Sequence, residues 1–504
     1  MQRGSGQNAG RVRFVLGTAL AALVAVSVGA CVAASTPTPQ PPASADASLV
    51  ESPSGSDASP VETSADPTST PEPSLVEEPE PTPTPMPPPP NGPLPSVGAA
   101  PAGTWTGIKW IALPGGHYPA VPSGNDYVYS TAMLEGWSKG YVEFLWDPHR
   151  RTIAPWVSAN GLTWKAGTKL NLGAWAGDFA AWDAQLAQNE ADPEGPDYHD
   201  TCTVTVSGFE EGPATLLLRA YFECAGGCGG PWFTSSEALW TSPDGRAWTA
   251  LDPKAAFGVN GAGTISGGSS GFISLGELED KPVDWISQDG QNWTRGTLPT
   301  GSVSLSAPVA FAGGYVFPGV VVVRKGHESL MGPGTCGWGT STIDQSKYEG
   351  ALWWSQDGVN WTRDSLTGTI GFGVDMSVSR IDDHTLLAIE TTWDSDGEMT
   401  GEVQWLSKDG KTWTRRNVLA STYQYWGNQI LEGRDHGLML DVTTSTSGED
   451  EHLLRAIDAK LTPITVSQSG DMPWEFGVDL AIGPTGILAS ADGQRFWIGV
   501  PTAG

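Results

Sequence analysis

Beyond residue 100 the chain reads as short apolar, aromatic runs broken by Gly, Asp and Asn, a pattern that predicts strands joined by tight turns. Five of these runs share one ending. They are Trp156 to Trp164, Trp240 to Trp248, Trp285 to Trp293, Trp354 to Trp361 and Trp405 to Trp413, each turning on Asn160-Gly161, Asp244-Gly245, Asp289-Gly290, Asp357-Gly358 or Asp409-Gly410. Asp-Gly or Asn-Gly between apolar runs predicts a hairpin whose two central residues both take a positive φ. The Ser two positions earlier (Ser158, Ser242, Ser287, Ser355 or Ser407) is placed to cap the turn's free N–H groups, and the flanking Trp to pack on the next copy. One hairpin cannot bury such faces alone. Copies spaced by roughly 45 to 85 residues leave room for four short strands each, the period of propeller blades.

With each blade's strands lettered A (innermost) to D, the turn joins C to D. B-like runs lie upstream of the five turns: Gly140 to Trp146, Ala214 to Phe222, Gly271 to Leu275, Gly314 to Val323 and Thr385 to Ile389. Two further units, Ile430 to Val466 and Trp474 to Val500, keep the order without the full signature. The expected fold is therefore all-β, a seven-bladed β-propeller with six or eight blades as alternatives. The last unit ends after its C strand, and Gly107 to Gly116 reads like a D strand with no C strand before it. The ring is expected to close by pairing N-terminal with C-terminal sequence, which removes a bare edge.

The N-terminus reads as a signal peptide over residues 1–30, with Arg3, Arg11 and Arg13 ahead of an apolar stretch too short to span a bilayer. It ends Val28-Gly29-Ala30-Cys31, which resembles a bacterial lipobox and implies lipidation at Cys31, with ordinary secretion as the alternative. Residues 31–100 are rich in Pro, Ser, Thr and Glu, hold no Lys or Arg, and lack the apolar surface to fold. They form a tether to a domain over 101–504. The expected location is the extracytoplasmic face of a bacterial membrane, reached through the lipid anchor alone. Net charge is −29 for the chain and −32 once the three signal-peptide arginines are removed. Nucleic acid is excluded as a partner by the missing basic footprint. Cys202, Cys224, Cys228 and Cys336 form an even set in an exported domain, read as disulfides with Cys202–Cys224 and Cys228–Cys336 favoured.

In a four-stranded blade the A–B and C–D turns share one face of the ring, and the B–C and D–A connections share the other. The long insertions all fall on the second: Leu170 to Asp200 between blades, and B–C loops at Asp147 to Ile153, Ala225 to Glu237, Lys325 to Tyr348, Asp394 to Gly401 and Ser445 to Glu451. Binding sites of repeat folds gather on such a face. The ligand-binding candidates there are Trp175, Trp182, Trp232, Trp338, Tyr348, Tyr423, Tyr425, Trp426 and Trp474, aromatics of the kind that stack on sugars or anchor a protein. Ala176 to Glu190 has helical spacing, suited to a lid or a buttress. No cofactor is expected. Asp394, Asp396 and Glu398 suggest a weak structural calcium loop that lacks the remaining ligands.

The Ser-x-Asp-Gly-x-x-Trp pattern resembles the Asp-box repeat of bacterial sialidases and related propellers, with Gly one residue closer to the Asp than in the usual box. In that family the box is a structural turn opposite the active site, so the resemblance implies fold and transfers no catalytic residue. The Arg-Ile-Pro segment is absent, and only Arg150, Arg151, Arg324 and Arg455 approach the insertion face. Arg380 and Arg434 are assigned to A–B turns. No residue is put forward as catalytic. The expected function is a monomeric, membrane-anchored binding or scaffolding propeller for a cell-envelope glycan or an extracellular protein; the alternative is a carbohydrate-active hydrolase on the same fold.

Overall fold

The structure, a computed structural model, describes residues 92–116, 132–147, 150–191, 201–225, 236–258, 262–279, 281–326, 328–330, 342–344, 346–364, 366, 368, 370–394, 399–416, 429–444, 450–471, 473, 478–491 and 495–503, with backbone alone for some, among them 201–203, 224–225, 441–444 and 450–451.

The fold is an all-β propeller. Its strands form antiparallel sheets in which spatial order follows chain order. Blade 1 is Ala132–Trp137, Gly140–Asp147, Thr152–Ser158 and Lys165–Ala166; blade 2 is Thr201–Glu211, Leu216–Ala225, Ser236–Ser242 and Thr249–Leu251. Blade 3 is Thr264–Gly268, Gly271–Leu278, Lys281–Ser287 and Thr294–Arg295. Blade 4 has Val309–Phe311 and Ser304–Leu305 along one edge of Gly314–Arg324, followed by Lys347–Ser355 and Thr362–Asp364. Blade 5 is Gly373–Asp382, Thr385–Trp393, Met399–Ser407 and Trp413–Arg415.

The two degenerate units appear as one eight-stranded sheet. Half of it is Gln429–Leu431, Leu438–Thr444, Asp450–Ile457 and Pro463–Gly470, and the other half Val478–Gly483, Gly486–Ala491, Arg495–Ala503 and Trp105–Ala112. The N-terminal strand joins the halves. It runs antiparallel to the last strand, with Trp110 opposite Gly499, and parallel to Pro463–Gly470, with Ile108 opposite Gln468. Trp105 and Trp110 are fully buried there, and the Trp110 indole N–H donates to Gln468 Oε1 at 3.1 Å. The innermost strand of each four-stranded unit touches that of the next, and Val478–Gly483 touches Ala132–Trp137, so the described strands close a ring. Leu94 and Val97, on the tether side of residue 101, already pack on this seam.

Burial explains the strand patterns. Gly140–Asp147 is buried at nearly every position because neighbouring blades cover both of its faces, so it reads as a continuous apolar run. The D strands Thr294–Arg295 and Lys165–Ala166 are exposed and short. Between blades 1 and 2 the seam is aromatic and aliphatic: Trp137, Phe144 and Trp146 meet Leu218, Phe222 and Trp240.

The five repeated turns share the side-chain bridges of their Asp or Asn, and in three of them (Trp248, Trp293 and Trp413) the second Trp closes the turn on the Gly carbonyl, whereas Trp361 donates to Thr297 O. In blade 3, Ser287 Oγ accepts from the N–H of Asp289 at 3.3 Å and Gly290 at 2.9 Å, as the sequence suggested, while Asp289 Oδ1 accepts from Gln291 at 2.9 Å and Asn292 at 2.7 Å. The Trp293 indole N–H closes the turn on Gly290 O at 3.0 Å. The expectation of two positive φ values is corrected. Only the Gly is left-handed (Gly161 +72°, Gly245 +73°, Gly290 +70°, Gly358 +72°, Gly410 +67°), because the Asp or Asn spends its side chain bridging forward to the N–H groups after the Gly. Packing joins neighbouring copies in both directions: the flanking Trp354 of blade 4 lies against Gly410 and under Lys411 of blade 5, while Trp248 of blade 2 meets Phe144 of blade 1.

Candidate functional site

The aromatic candidates divide sharply. Trp175 is fully buried, its ring N–H donating to Ser236 O at 3.1 Å and its face meeting Trp240 edge-on, which removes it from any ligand-facing role. Helix Ala176–Ala191 follows it as a buttress: Phe179 and Trp182 pack on Phe222, and Arg151 lies over both rings, ion-paired to Asp183. Tyr348 is half-buried in Lys347–Ser355 and bridges Gly371 through its backbone, with N–H to O at 2.9 Å. Trp232, Trp338, Tyr423, Tyr425, Trp426, Trp474, Cys31, Cys228, Cys336, Asp396 and Glu398 lie outside the described residues. Cys202 and Cys224 occupy opposite positions on adjacent strands, the register a bridge between them requires.

The polar chemistry of the described residues gathers instead on the ring axis. All A strands run from the D–A end to the A–B end, so position within a strand gives depth. At the A–B end sits a network of two arginines and several acids. Arg434 reaches Glu211 at 3.2 Å, Asp383 at 3.8 Å and the carbonyl of Gly212 at 2.9 Å. Arg380, almost wholly buried, donates to Gly267 O and lies 3.5 Å from Glu432, 3.8 Å from Asp383 and 3.9 Å from Glu210. Ser138 bonds Glu211, and Ser269 bonds Asp383. These groups belong to blades 1, 2, 3 and 5 and to the Gln429–Gly470 half of the eight-stranded sheet, so the network ties the inner strands together across the axis. Burial pushes the Glu210 carboxyl up to about 7 against the pull of Arg380, and raises Glu432 in the same way.

Further acids line the inner strands. Asp479, second of six in its A strand, lies toward the other end, while Glu135, fourth of six in its own, lies nearer the A–B end. Glu143, on the B strand of blade 1, is fully buried, and neither of its carboxylate oxygens has a hydrogen-bond partner among the described residues. Burial holds Glu143 well above the usual carboxylate range, and the charge of Asp479 raises it further. Glu135 is raised by burial and by Asp479, Glu210 and Glu432. A protonated carboxyl beside ionised ones can donate, accept or exchange a proton, or face a positive group.

Sequence reasoning passed over this axial set. Arg380 and Arg434 were placed near A–B turns but given no role, and Glu143 stood inside a run read only as strand. The one available signal was a lone acid among apolar neighbours at Gly140 to Trp146. Among the described residues, no group of three or more His, Cys, Asp or Glu is arranged to hold a metal ion.

No family model matches the sequence, and no curated protein matches it. Solved structures with a similar course of chain include the NanB sialidase of Streptococcus pneumoniae (TM-score 0.30, 12% identity, 77% of this chain and 71% of that one). The Bombyx mori GH32 β-fructofuranosidase aligns with TM-score 0.27 and 11% identity over 76% of this chain and 92% of its own. The Penicillium chrysogenum α-L-arabinanase gives 0.28 and 10% over 78% and 98%. At such scores no activity, substrate or residue role transfers to this chain.

Proposed function

We propose that this chain is a bacterial surface lipoprotein, held by Cys31 and its tether, whose propeller binds an extracellular ligand at the axial end where the B–C and D–A connections gather. The ligand is a cell-envelope glycan or another protein. One observation supports the reading: among the described residues the A–B end is occupied by the Arg380–Arg434 network and the C–D turns by their own caps, while the long connections gather at the opposite end, toward which Asp479 lies.

The mature chain with Cys31→Ser, freed of lipid, tests it on a glycan array and by cross-linking on whole cells. Binding that weakens in Trp338→Ala or Trp426→Ala supports the loop-bearing end, and silence on both platforms dismisses it. Labelled palmitate incorporated by the wild type and not by Cys31→Ser reports the anchor. A second reading, a glycoside hydrolase, draws on the shared electrostatic neighbourhood of Glu135, Glu143 and Asp479, since glycosidic cleavage needs a protonated carboxyl and a carboxylate. Release of sugar from envelope polysaccharide, lost in Glu135→Gln and Asp479→Asn, would establish it.

A further inference from the structure

We propose that Asn160 is a self-modifying residue: the turn of blade 1 converts its own side-chain amide to a carboxylate, so that the folded ring comes to carry five Asp turns where the translated chain carries four. The inference does not depend on what the propeller binds.

Asn160 holds the position that Asp244, Asp289, Asp357 and Asp409 hold in the other turns, and the same left-handed Gly follows it. Its Oδ1 accepts from four donors: the N–H of Leu162 at 3.0 Å, the N–H of Thr163 at 3.1 Å, the Ser158 hydroxyl at 3.2 Å and the Thr163 hydroxyl at 3.3 Å. Such a set suits a negative oxygen better than a neutral one. The sister turns show the preference. Burial is the largest single influence on Asp244, Asp289 and Asp409 and pushes them up, yet these and Asp357 all lie below the ordinary carboxylate value because the equivalent N–H groups bond them.

Blade 1 differs in its Gly. In the other turns the N–H of Gly245, Gly290, Gly358 or Gly410 is tied to the Ser Oγ at 2.9 Å. Among the described residues the Gly161 N–H has no hydrogen-bond partner, and neither has the Asn160 amide nitrogen. Gly161 N belongs to the ring that the bond from Leu162 N–H to Asn160 Oδ1 closes, so the side chain is folded toward an uncapped nitrogen.

The step needs water and no other co-reactant. Gly161 N gives its proton to water and bonds to Asn160 Cγ; negative charge grows on Oδ1, where the four donors receive it, and the Cγ–Nδ2 bond breaks with release of ammonia. Water then adds to Cγ of the cyclic imide, the Cγ–N bond breaks, and Gly161 regains its N–H beside an aspartate at position 160. Addition of water to the backbone carbonyl carbon would leave isoaspartate instead. That carbonyl oxygen meets a single donor, Thr485 Oγ1 at 3.2 Å, so the donors on the side-chain oxygen steer the opening to aspartate. Isoaspartate would also lengthen the backbone beside Gly161, which is buried against Leu488 and Ile498 across the seam.

The test ages the full mature chain carrying Cys31→Ser in mildly alkaline buffer and maps its peptides against synthetic Asn, Asp and isoaspartate standards, beside a free peptide of residues 156–164. The folded chain is expected to convert Asn160 at least as fast as the peptide, with aspartate the larger product, while the peptide yields mainly isoaspartate. Thr163→Val is expected to slow the folded chain by at least about threefold and to leave the corresponding peptide unchanged, with thermal melts confirming that the variant folds. Asn160 persisting as the amide after the peptide has converted overturns the inference. So does isoaspartate as the larger product in the folded chain, or a folded Thr163→Val chain that converts at the parent rate.

Discussion

Asp289 does its work within three residues of itself. Burial, the largest single influence, pushes its carboxyl up, but the N–H groups of Gln291 and Asn292 and the Asn292 side-chain amide together outweigh it and pull the carboxyl from the usual 3.8 to about 2. The stability it contributes is present above pH 3.8 and lost as pH falls toward 2. Asp289→Ala is expected to cost about 1 kcal/mol at neutral pH, as loss of a cap does, and to flatten the acid limb of a denaturation profile. Gly410→Ala should cost about 2 kcal/mol or more in urea melts, since Gly410 has φ +67° and a Cβ there would stand 2.6 Å from the Phe311 ring. Such turns were legible in the sequence because every partner but the packing surface is a near neighbour in the chain. Glu143 and Arg380 were not, since their partners Asp479, Glu210 and Glu432 lie far away in sequence and no local pattern joins them.

The strand Gly140–Asp147 could be read as an element but not as a carrier of chemistry, because burial on both faces hides which face an acid takes. Its Glu143 has a consequence for pH. A carboxyl raised in the folded state contributes fully below the unfolded value of about 4.5 and loses that contribution as pH climbs through the folded value. The wild type is therefore expected to melt lower at pH 8 than at pH 5. Glu143→Gln should narrow that difference by raising the melting temperature at pH 8, as scanning calorimetry would record. Helix Ala176–Ala191 was legible by its spacing, but its role as a buttress followed only from where Trp175, Phe179 and Trp182 come to rest.

The ring closes by borrowing a strand from the other end of the chain, and that was legible because Gly107 to Gly116 repeats the D-strand pattern of blade 3. The parallel partner on its far side was not: nothing in the sequence of Pro463–Gly470 announces a second neighbour. Trp110→Ala should destabilise the propeller by about 3 to 5 kcal/mol in chemical denaturation, with the loss of a fully buried indole at the joint of both ladders. The same joint has a mechanical meaning. Trp105 lies beside Ala503, so a pull between the two chain ends would open the antiparallel ladder one rung at a time, like a seam ripped from its end. A load that drags residue 92 along the axis of the strand, against a handle on Pro463–Gly470, instead strains the rungs on that side together, because there the neighbouring strand runs the same way. An optical trap should find the second direction markedly the stronger, so the far side of the borrowed strand is where the ring resists being unpicked.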